Sequence, residues 1–184
     1  IWMAENLKTT RYNNADEIPT GYSNSEWSNL DDTDTGAYAV YGDDPVNAAV
    51  YGNLYNWYAV NDGRGICPEG WHVPTNEDWI ELGEWMAIDA DLCWILCEGC
   101  DTSWTNNYPN ASNTCSPPLK EVGCEHWECG GAAHSEDEGT NTSGFNVLGA
   151  GYRTHTGSYS GLKQYNFFWT SESANSSTAH RWKI

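Results

Sequence analysis

The sequence contains few basic residues and no long apolar run. Only eight of its 184 residues are Lys or Arg, whereas 26 are Asp or Glu, so the formal net charge is −18. Such a surface repels phosphate backbones and anionic membranes, which argues against nucleic acid as a partner. No stretch approaches the roughly 18 apolar residues that a membrane span needs. Metal cations, basic proteins and neutral sugars are compatible with this charge.

The chain also opens without an initiating methionine or a signal peptide, since its first residues are IWMAENL. We therefore expect the sequence to be a mature or trimmed portion of a longer protein. A length of 184 residues is that of one ordinary domain, and we find no internal repeat.

Aromatic residues are abundant, with 11 Trp and 11 Tyr. This is more aromatic surface than a core of this size requires, so we expect some rings to be exposed, as in proteins that bind sugars or other proteins. The alternative is that large rings replace aliphatic residues in a small core that is rich in loops.

Seven cysteines indicate an oxidising compartment, and hence an extracellular or cell-surface location. Because their number is odd, at least one cannot pair within the chain. Three of them form a C-x3-C-x2-C motif that also suits an iron–sulfur cluster, and Cys124, His126 and Cys129 could bind zinc. In a secreted chain disulfides are the better interpretation.

The segment DDPVNAAVYGNLYNWYAV predicts a first helix. Val50, Leu54, Trp57 and Tyr58 recur at helical spacing, Asp43 or Asp44 can cap the helix, and Pro45 suits its first turn. Glycines in NDGRG then end it.

A second helix is predicted from Thr75, which as N-cap forms an approximate capping box with Asp78. Trp79, Leu82 and Met86 make its buried stripe. The segment CPEGWHVP is then a connector between the two helices, with Trp71 placed in the core.

Residues 89–118 lose all periodicity, and we interpret them as a cysteine-rich insert within a single domain over 1–184. Short strands follow in FNVLGAGYR, NFFWTSES and AHRWKI. Helices followed by strands, without βαβ alternation, predict the α+β class. We expect Trp57, Trp71, Trp79 and Phe145 to be buried together.

Two acidic clusters are candidate calcium ligands because carboxylate and amide oxygens suit this ion. The first is Asp32, Asp34 and Asp43, whose spacing approaches that of an EF-hand loop but lacks its glycine and its final Glu. The second is Glu136, Asp137, Glu138 and Asn141. The alternative is a solvated acidic surface.

Three sequons, at Asn110, Asn141 and Asn175, could carry N-glycans, although chance sequons are expected in a chain so rich in Asn, Ser and Thr. Four histidines, His72, His126, His134 and His155, lack an evident Ser or Cys partner in the sequence. We therefore predict no enzymatic activity.

Six blocks resemble, in order, the Fibrobacter succinogenes major paralogous domain family: WMAENLKTTRYN, YGNLYNWYAV, ICPEGWHVPTNEDWIEL, LKEVG..HW, SGFNVLGAGYR and FFWTSES. The resemblance implies a C-type lectin-like fold, with two helices around a small, twisted, mostly antiparallel sheet and long loops stapled by disulfides. WHVPTNEDW is also similar to a block of the formylglycine-generating enzymes, which share that fold. Those oxidases bind copper through a C-terminal cysteine pair, whereas this chain has no cysteine after Cys129.

The family pattern has a first and a last strand, side by side, that are missing here at both ends. In the family, the cysteine that corresponds to Cys67 pairs with one in the last strand, so the resemblance implies that its partner lies outside this chain. The other six cysteines are then expected to pair among themselves: Cys93, Cys97, Cys100, Cys115, Cys124 and Cys129.

The function expected from these observations is non-catalytic adhesion or ligand binding at the cell surface, through loops and sheet edges. The partner would be a surface ligand such as carbohydrate, or other copies of the protein, and no cofactor is expected except possible calcium. The alternative is a structural subunit of an extracellular filament or surface layer, completed by strands from neighbouring copies. An oxidase like the formylglycine-generating enzymes is the less favoured alternative.

Overall fold

The structure, a computed structural model, describes residues 1–89, 118–129, 138–175 and 178–184. The predicted insert lies outside this range except for its two end residues. The residues singled out above that also lie outside it are Cys93, Cys97, Cys100, Asn110, Cys115, His134, Glu136 and Asp137.

The described residues combine helices with small antiparallel sheets, which confirms the mixed composition predicted from the sequence. The helices are α1 (Asn24–Ser28), α2 (Pro45–Tyr51), α3 (Trp57–Val60) and α4 (Asn76–Asp89), with 3-10 turns at Asp31–Thr33 and Tyr41–Asp43. The strands are β1 (Tyr38–Ala39), β2 (Leu54–Tyr55), β3 (Ala150–Arg153), β4 (Tyr159–Leu162), β5 (Phe167–Asn175) and β6 (Thr178–Lys183). They pair as β1–β2, β3–β4 and β5–β6.

The first predicted helix is wrong as a continuous element, because it ends at Gly52. The start is as expected, with Pro45 in the first turn and the Asp44 side chain accepting the Val46 N–H. Gly52 has φ +77°, and a Cβ there would lie 2.9 Å from the Leu7 carbonyl oxygen. The chain therefore leaves the helix, pairs as β2 with β1, and re-enters a separate helix, α3.

The second predicted helix is confirmed as α4. Thr75 Oγ1 accepts the Asp78 N–H at 3.0 Å, and the Thr75 N–H donates to Asp78 Oδ2 at 2.7 Å. This reciprocal cap satisfies backbone groups that the first turn leaves unpaired. Trp79 and Leu82 are buried as predicted, and the side chain of Met86 lies outside the described set.

Two hairpins form the second half of the domain. β5 and β6 pair with Phe168 opposite Trp182, and the pairing extends to Asn166 and Ile184, whose backbones exchange two hydrogen bonds. Gly151 in β3 bridges Asn166 in parallel, which links the two hairpins. The predicted strand AHRWKI is thus the second strand of a hairpin.

The largest core cluster surrounds Trp79. Its buried members are Trp79, Leu82, Leu119, Trp127 and Val147. Both ends of the chain pack on it, since the rings of Trp2 and Trp182 lie 4.7 and 5.7 Å from the Trp79 ring. Phe145 is partly buried against the same cluster, as expected, whereas the expected burial of Trp57 with it is wrong, because Trp57 contacts Trp169 instead.

The predicted burial of Trp71 is wrong, because this side chain is 40% exposed. Residues 68–71 form a turn in which the Trp71 N–H donates to the Pro68 carbonyl, with Gly70 at φ +84°. The core is filled instead by Ile66, before the turn, and in part by Val73 after it. Among the described residues, no helix has the length and apolarity to cross a membrane.

A candidate binding cleft

A large cleft runs between the helices and the second half of the domain. Its volume is about 2010 Å³, compared with roughly 300 to 1,000 Å³ for a typical small-molecule pocket. Strands β3, β5 and β6 and helices α3 and α4 all contribute lining residues. The size suits an extended ligand better than a single metabolite.

Strand alternation places aromatic rings on the cleft side of the β5–β6 hairpin. Phe168 and Trp182 face the Trp79 cluster. Phe167 and Trp169, which flank Phe168 along β5, therefore face the opposite way, and all three rings contribute to the cleft lining. All four rings are half-buried.

Neighbouring side chains hold these cleft rings in place. Trp57 from α3 lies 5.8 Å from Trp169, and Tyr152 from β3 lies edge-on to Phe167 at 5.0 Å. The Trp169 indole N–H donates to the Tyr55 carbonyl at 2.8 Å. We call Trp57, Tyr152, Phe167 and Trp169 the aromatic platform. Because its rings pack on one another, the platform is formed before any ligand arrives.

Two cations lie on the platform side of β6. Arg181 pairs with Trp169 in the sheet register and stacks over Phe167 at 4.3 Å, while Lys183 lies 3.7 Å above the Tyr165 ring. Burial and the neighbouring Arg181 charge both lower the pKa of Lys183. Two like charges thus share one face of the strand.

The charge of the chain is strongly segregated. Residues 139–184, which contain β3 to β6, hold four of the eight basic residues and only one of the 26 acidic residues, Glu172. The Arg, Lys and His side chains of this stretch that line the cleft are Arg153, His155 and Arg181. The strand wall of the cleft is therefore basic on a protein whose net charge is −18.

Helix α4 and the connector before it add acidic side chains and exposed tryptophans to the lining of the cleft. Asp78, Glu81 and Trp85 lie on one face of α4 and line the cleft, as does Trp71 in the preceding connector. Trp85 is 52% exposed. Indole rings at such positions offer both an apolar face and an N–H donor.

A histidine and a carboxylate meet at another part of the cleft. Glu121 contacts His126 Nδ1 at 2.8 and 2.9 Å through its two oxygens, and it also accepts the His126 backbone N–H. The Tyr51 ring lies edge-on to the imidazole at 5.4 Å. A disulfide between Cys124 and Cys129 closes the short loop that contains His126.

The other described His–carboxylate contact belongs to the helix cap. His72 Nε2 lies 3.1 Å from Asp78 Oδ2, the same oxygen that accepts the Thr75 hydroxyl and backbone N–H. His72 is largely exposed. In both pairs the carboxylate also binds backbone, so each pair fixes a local turn.

The structure does not bring the first predicted calcium cluster together. Within the described residues, no three His, Cys, Asp or Glu side chains lie close enough to hold a metal ion. Asp43 instead accepts the Tyr159 hydroxyl at 2.6 Å, and this contact, after burial, raises the pKa of Tyr159. Of the second cluster only Glu138 and Asn141 are described, so calcium binding there stays a prediction.

The predicted pairing of the cysteines is seen only in part. The Cys124–Cys129 bridge falls within the set of six that the family resemblance implies, whereas the four cysteines before them lie outside the described residues. Cys67 is a free thiol that packs at the edge of a second core cluster, and burial raises its pKa.

The sequons stay predictions as well. At Asn141 the side-chain amide donates to Asn146 Oδ1, and its oxygen accepts the Asn146 N–H. A glycan on that nitrogen would replace one of these hydrogen bonds. The side chain of Asn175 lies outside the described set.

The fold and cleft define a small α+β domain with a disulfide and a preformed aromatic platform. The family model of the Fibrobacter succinogenes major domain matches residues 1–184, and the chain therefore belongs to that family. No match was found among the curated proteins or the solved structures.

Proposed function

We propose that this domain is a non-catalytic extracellular or cell-surface module that binds carbohydrate chains in its cleft. The observation that carries the proposal is the aromatic platform of Trp57, Tyr152, Phe167 and Trp169 along a cleft of about 2010 Å³. Flat apolar rings with a few polar groups beside them suit the faces of sugar rings.

The C-type lectin-like fold is part of this proposal. Two features support it: helices precede the hairpins along the chain, and the two chain ends meet on Trp79. In that fold the first and last segments lie together. The Cys124–Cys129 disulfide supports an oxidising, extracellular setting.

The non-catalytic part of the proposal is supported by the use of the two His–carboxylate pairs. Asp78 caps α4, and Glu121 holds the backbone of the disulfide loop. The absence of cysteine after Cys129 also separates the sequence from the oxidases with a similar motif. A shared fold alone carries no activity.

Affinity electrophoresis against a panel of soluble polysaccharides tests the proposal. We expect retardation by at least one glycan, lost in Trp169→Ala because this substitution removes one of the two tryptophans of the platform. Trp85→Ala, which removes an exposed indole on α4, is the matched control and should retain part of the retardation. Equal mobility of the wild type in every glycan gel would contradict carbohydrate binding.

A second candidate function is self-assembly through β6. Among the described residues, β6 pairs with β5 along one edge, and no strand pairs with its other edge. Unpaired strand edges recruit strands from other chains. Sedimentation velocity over a range of concentrations tests it, and a monomer at every concentration would contradict it.

A further inference from the structure

A buried asparagine in the cleft indicates which substituent of a sugar the cleft recognises. Asn166 is 4% exposed and lines the cleft, and its amide nitrogen has no hydrogen-bond partner among the described residues. We propose, resting on the carbohydrate binding proposed above, that Asn166 recognises an acetyl group of the bound sugar. Its amide N–H donates to the acetyl carbonyl oxygen.

Backbone hydrogen bonds fix Asn166 at the junction of the two hairpins. Its N–H donates to the Ile184 carbonyl, and its carbonyl accepts the Ile184 N–H, both at 3.0 Å. Gly151 in β3 bridges Asn166 as well, and it also lines the cleft. The backbone of Asn166 is therefore paired and held in place, which leaves its side chain to bind a ligand.

The side chain of Asn166 lies on the apolar face of its hairpin. Because side chains alternate along a strand, Asn166 shares a face with Phe168. The residues opposite these two, Ile184 and Trp182, pack with Phe168 against the Trp79 cluster. A buried amide on such a face lowers stability unless its N–H groups are bonded. An acceptor brought into the cleft by a ligand would satisfy this nitrogen.

The chemistry of the position favours an acetyl carbonyl over a hydroxyl group. The atom without a partner is the amide nitrogen, which is a donor and requires an acceptor. A carbonyl oxygen only accepts, whereas a hydroxyl brings its own O–H donor, which would need a further partner on an apolar face. The methyl of an acetyl group also suits the neighbouring ring of Phe168, which lines the cleft.

The acetyl site adjoins the aromatic platform. Phe167 directly follows Asn166 in the chain, and both line the cleft. The two side chains project to opposite faces of the strand, so a ring stacked on Phe167 does not itself contact the Asn166 amide. Asn166 therefore belongs to a second subsite, which the substituent of an adjoining sugar unit occupies.

The test compares acetylated chitotetraose with cellotetraose. Both are neutral chains of the same linked rings, and they differ only in an acetamido group that replaces one hydroxyl of each ring. Isothermal titration calorimetry should show tighter binding of the acetylated chain. Asn166→Leu keeps the branched shape of the side chain but has no donor, so it should weaken this binding about tenfold, as for one buried hydrogen bond. It should leave cellotetraose binding unchanged.

Stability gives a readout that a purely structural role would move the other way. Asn166→Leu should melt no lower than the wild type, because it removes a buried N–H group that has no partner. Asn47→Leu is the matched control, since the Asn47 amide donates to the Tyr41 carbonyl at 2.9 Å and does not line the cleft. It should keep the preference for the acetylated chain.

A second measurement needs no variant and decides the test if Asn166→Leu does not fold. In heteronuclear NMR spectra of the wild type, the side-chain amide resonance of Asn166 should shift more with acetylated chitotetraose than with cellotetraose, and equal shifts would contradict the contact. Acetylated xylotetraose, compared with its deacetylated form, distinguishes an ester from an amide as the source of the carbonyl.

The outcomes separate the two proposals. If no acetylated chain binds more tightly than its unacetylated counterpart, the acetyl site is overturned, and carbohydrate binding stands as long as a glycan of the panel still retards the protein. A preference that persists in Asn166→Leu, or a lower melting temperature with unchanged affinity, overturns the role of Asn166 in recognition. No binding of these chains or of the polysaccharide panel overturns both proposals.

Discussion

At the scale of single residues, local charge contacts decide how the protein responds to acid. Asp62 accepts two hydrogen bonds from the Arg64 side chain and one from its backbone, and these contacts lower the pKa of Asp62 to about 2. Arg64 also pairs with Asp16 and lies over the Tyr12 ring at 3.9 Å.

Because the folded pKa of Asp62 is depressed, its stabilising effect is complete above pH 4 and is lost as the pH falls toward 2. Arg64 is partly exposed, so solvent screening reduces the effect to about 1 kcal/mol. We expect Asp62→Asn to be less stable by this amount at pH 6 and equal to the wild type at pH 2, in urea titrations. Asp32→Asn removes the same charge at an exposed position, so its stability relative to the wild type should not change in this way between pH 6 and pH 2.

Tryptophans at neighbouring positions also differ in what they contribute to stability. Trp79 is 3% exposed and contacts the rings of Trp2, Phe145, Phe168 and Trp182, whereas Trp71 is 40% exposed. Trp79→Ala should lower the free energy of unfolding by about 3 to 5 kcal/mol, as for other buried aromatics. Trp71→Ala should cost under about 1 kcal/mol, as for exposed substitutions. Comparable losses in chemical denaturation would contradict the burial seen here.

At the scale of elements, caps could be predicted and backbone breaks could not. Thr75 and Asp78 mark the start of α4 because their side chains bond the backbone of the same turn, which is local information. Gly52 ends α2 for a reason that lies 45 residues away in sequence, at Leu7. The helical spacing of Val50, Leu54 and Trp57 does not indicate that contact.

The same difference applies to the cleft. A half-buried strand could be predicted from the alternation of Arg181 and Lys183 with Trp182 and Ile184. In the structure this strand is β6, which pairs with β5. The meeting of Trp169 with Trp57 depends on the path between two elements more than 100 residues apart. Composition predicted exposed aromatic rings but could not say which ones share a surface.

Gly52 gives a prediction at this scale. Both Gly52 and Gly21 have positive φ, but a Cβ at Gly52 meets Asn6 and Leu7 within 3 Å, whereas one at Gly21 meets nothing within 4 Å. Gly21→Ala should cost about 1 kcal/mol from backbone strain alone. We expect Gly52→Ala to cost clearly more, with a lower melting temperature in calorimetry. Equal melting temperatures for the two variants would contradict this prediction, because the Leu7 segment would then move away from the added methyl group without cost.

At the scale of the whole molecule, the excess of acidic over basic residues determines how salt changes the stability of the fold. Described ion pairs of Lys and Arg side chains involve the carboxylates of Glu5, Asp16, Glu17 and Asp62, while the chain has 26 acidic residues and eight basic ones. Self-repulsion of the remaining carboxylates opposes the compact state. Screening this repulsion should therefore stabilise the fold even though it weakens the few ion pairs.

We expect the melting temperature to rise between 10 mM and 500 mM NaCl, as the Debye length falls from roughly 30 Å toward 4 Å. A non-ionic solute at equal osmolality is the control. A melting temperature that falls as NaCl is added would show that the ion pairs outweigh the repulsion.

The same assay separates screening from calcium binding. If the predicted cluster at 136–141 binds calcium, the melting temperature should rise more with CaCl₂ than with MgCl₂ at matched ionic strength. Glu138→Gln should remove this difference because it removes one charged oxygen ligand. Identical curves for the two salts would contradict a calcium site that stabilises the fold.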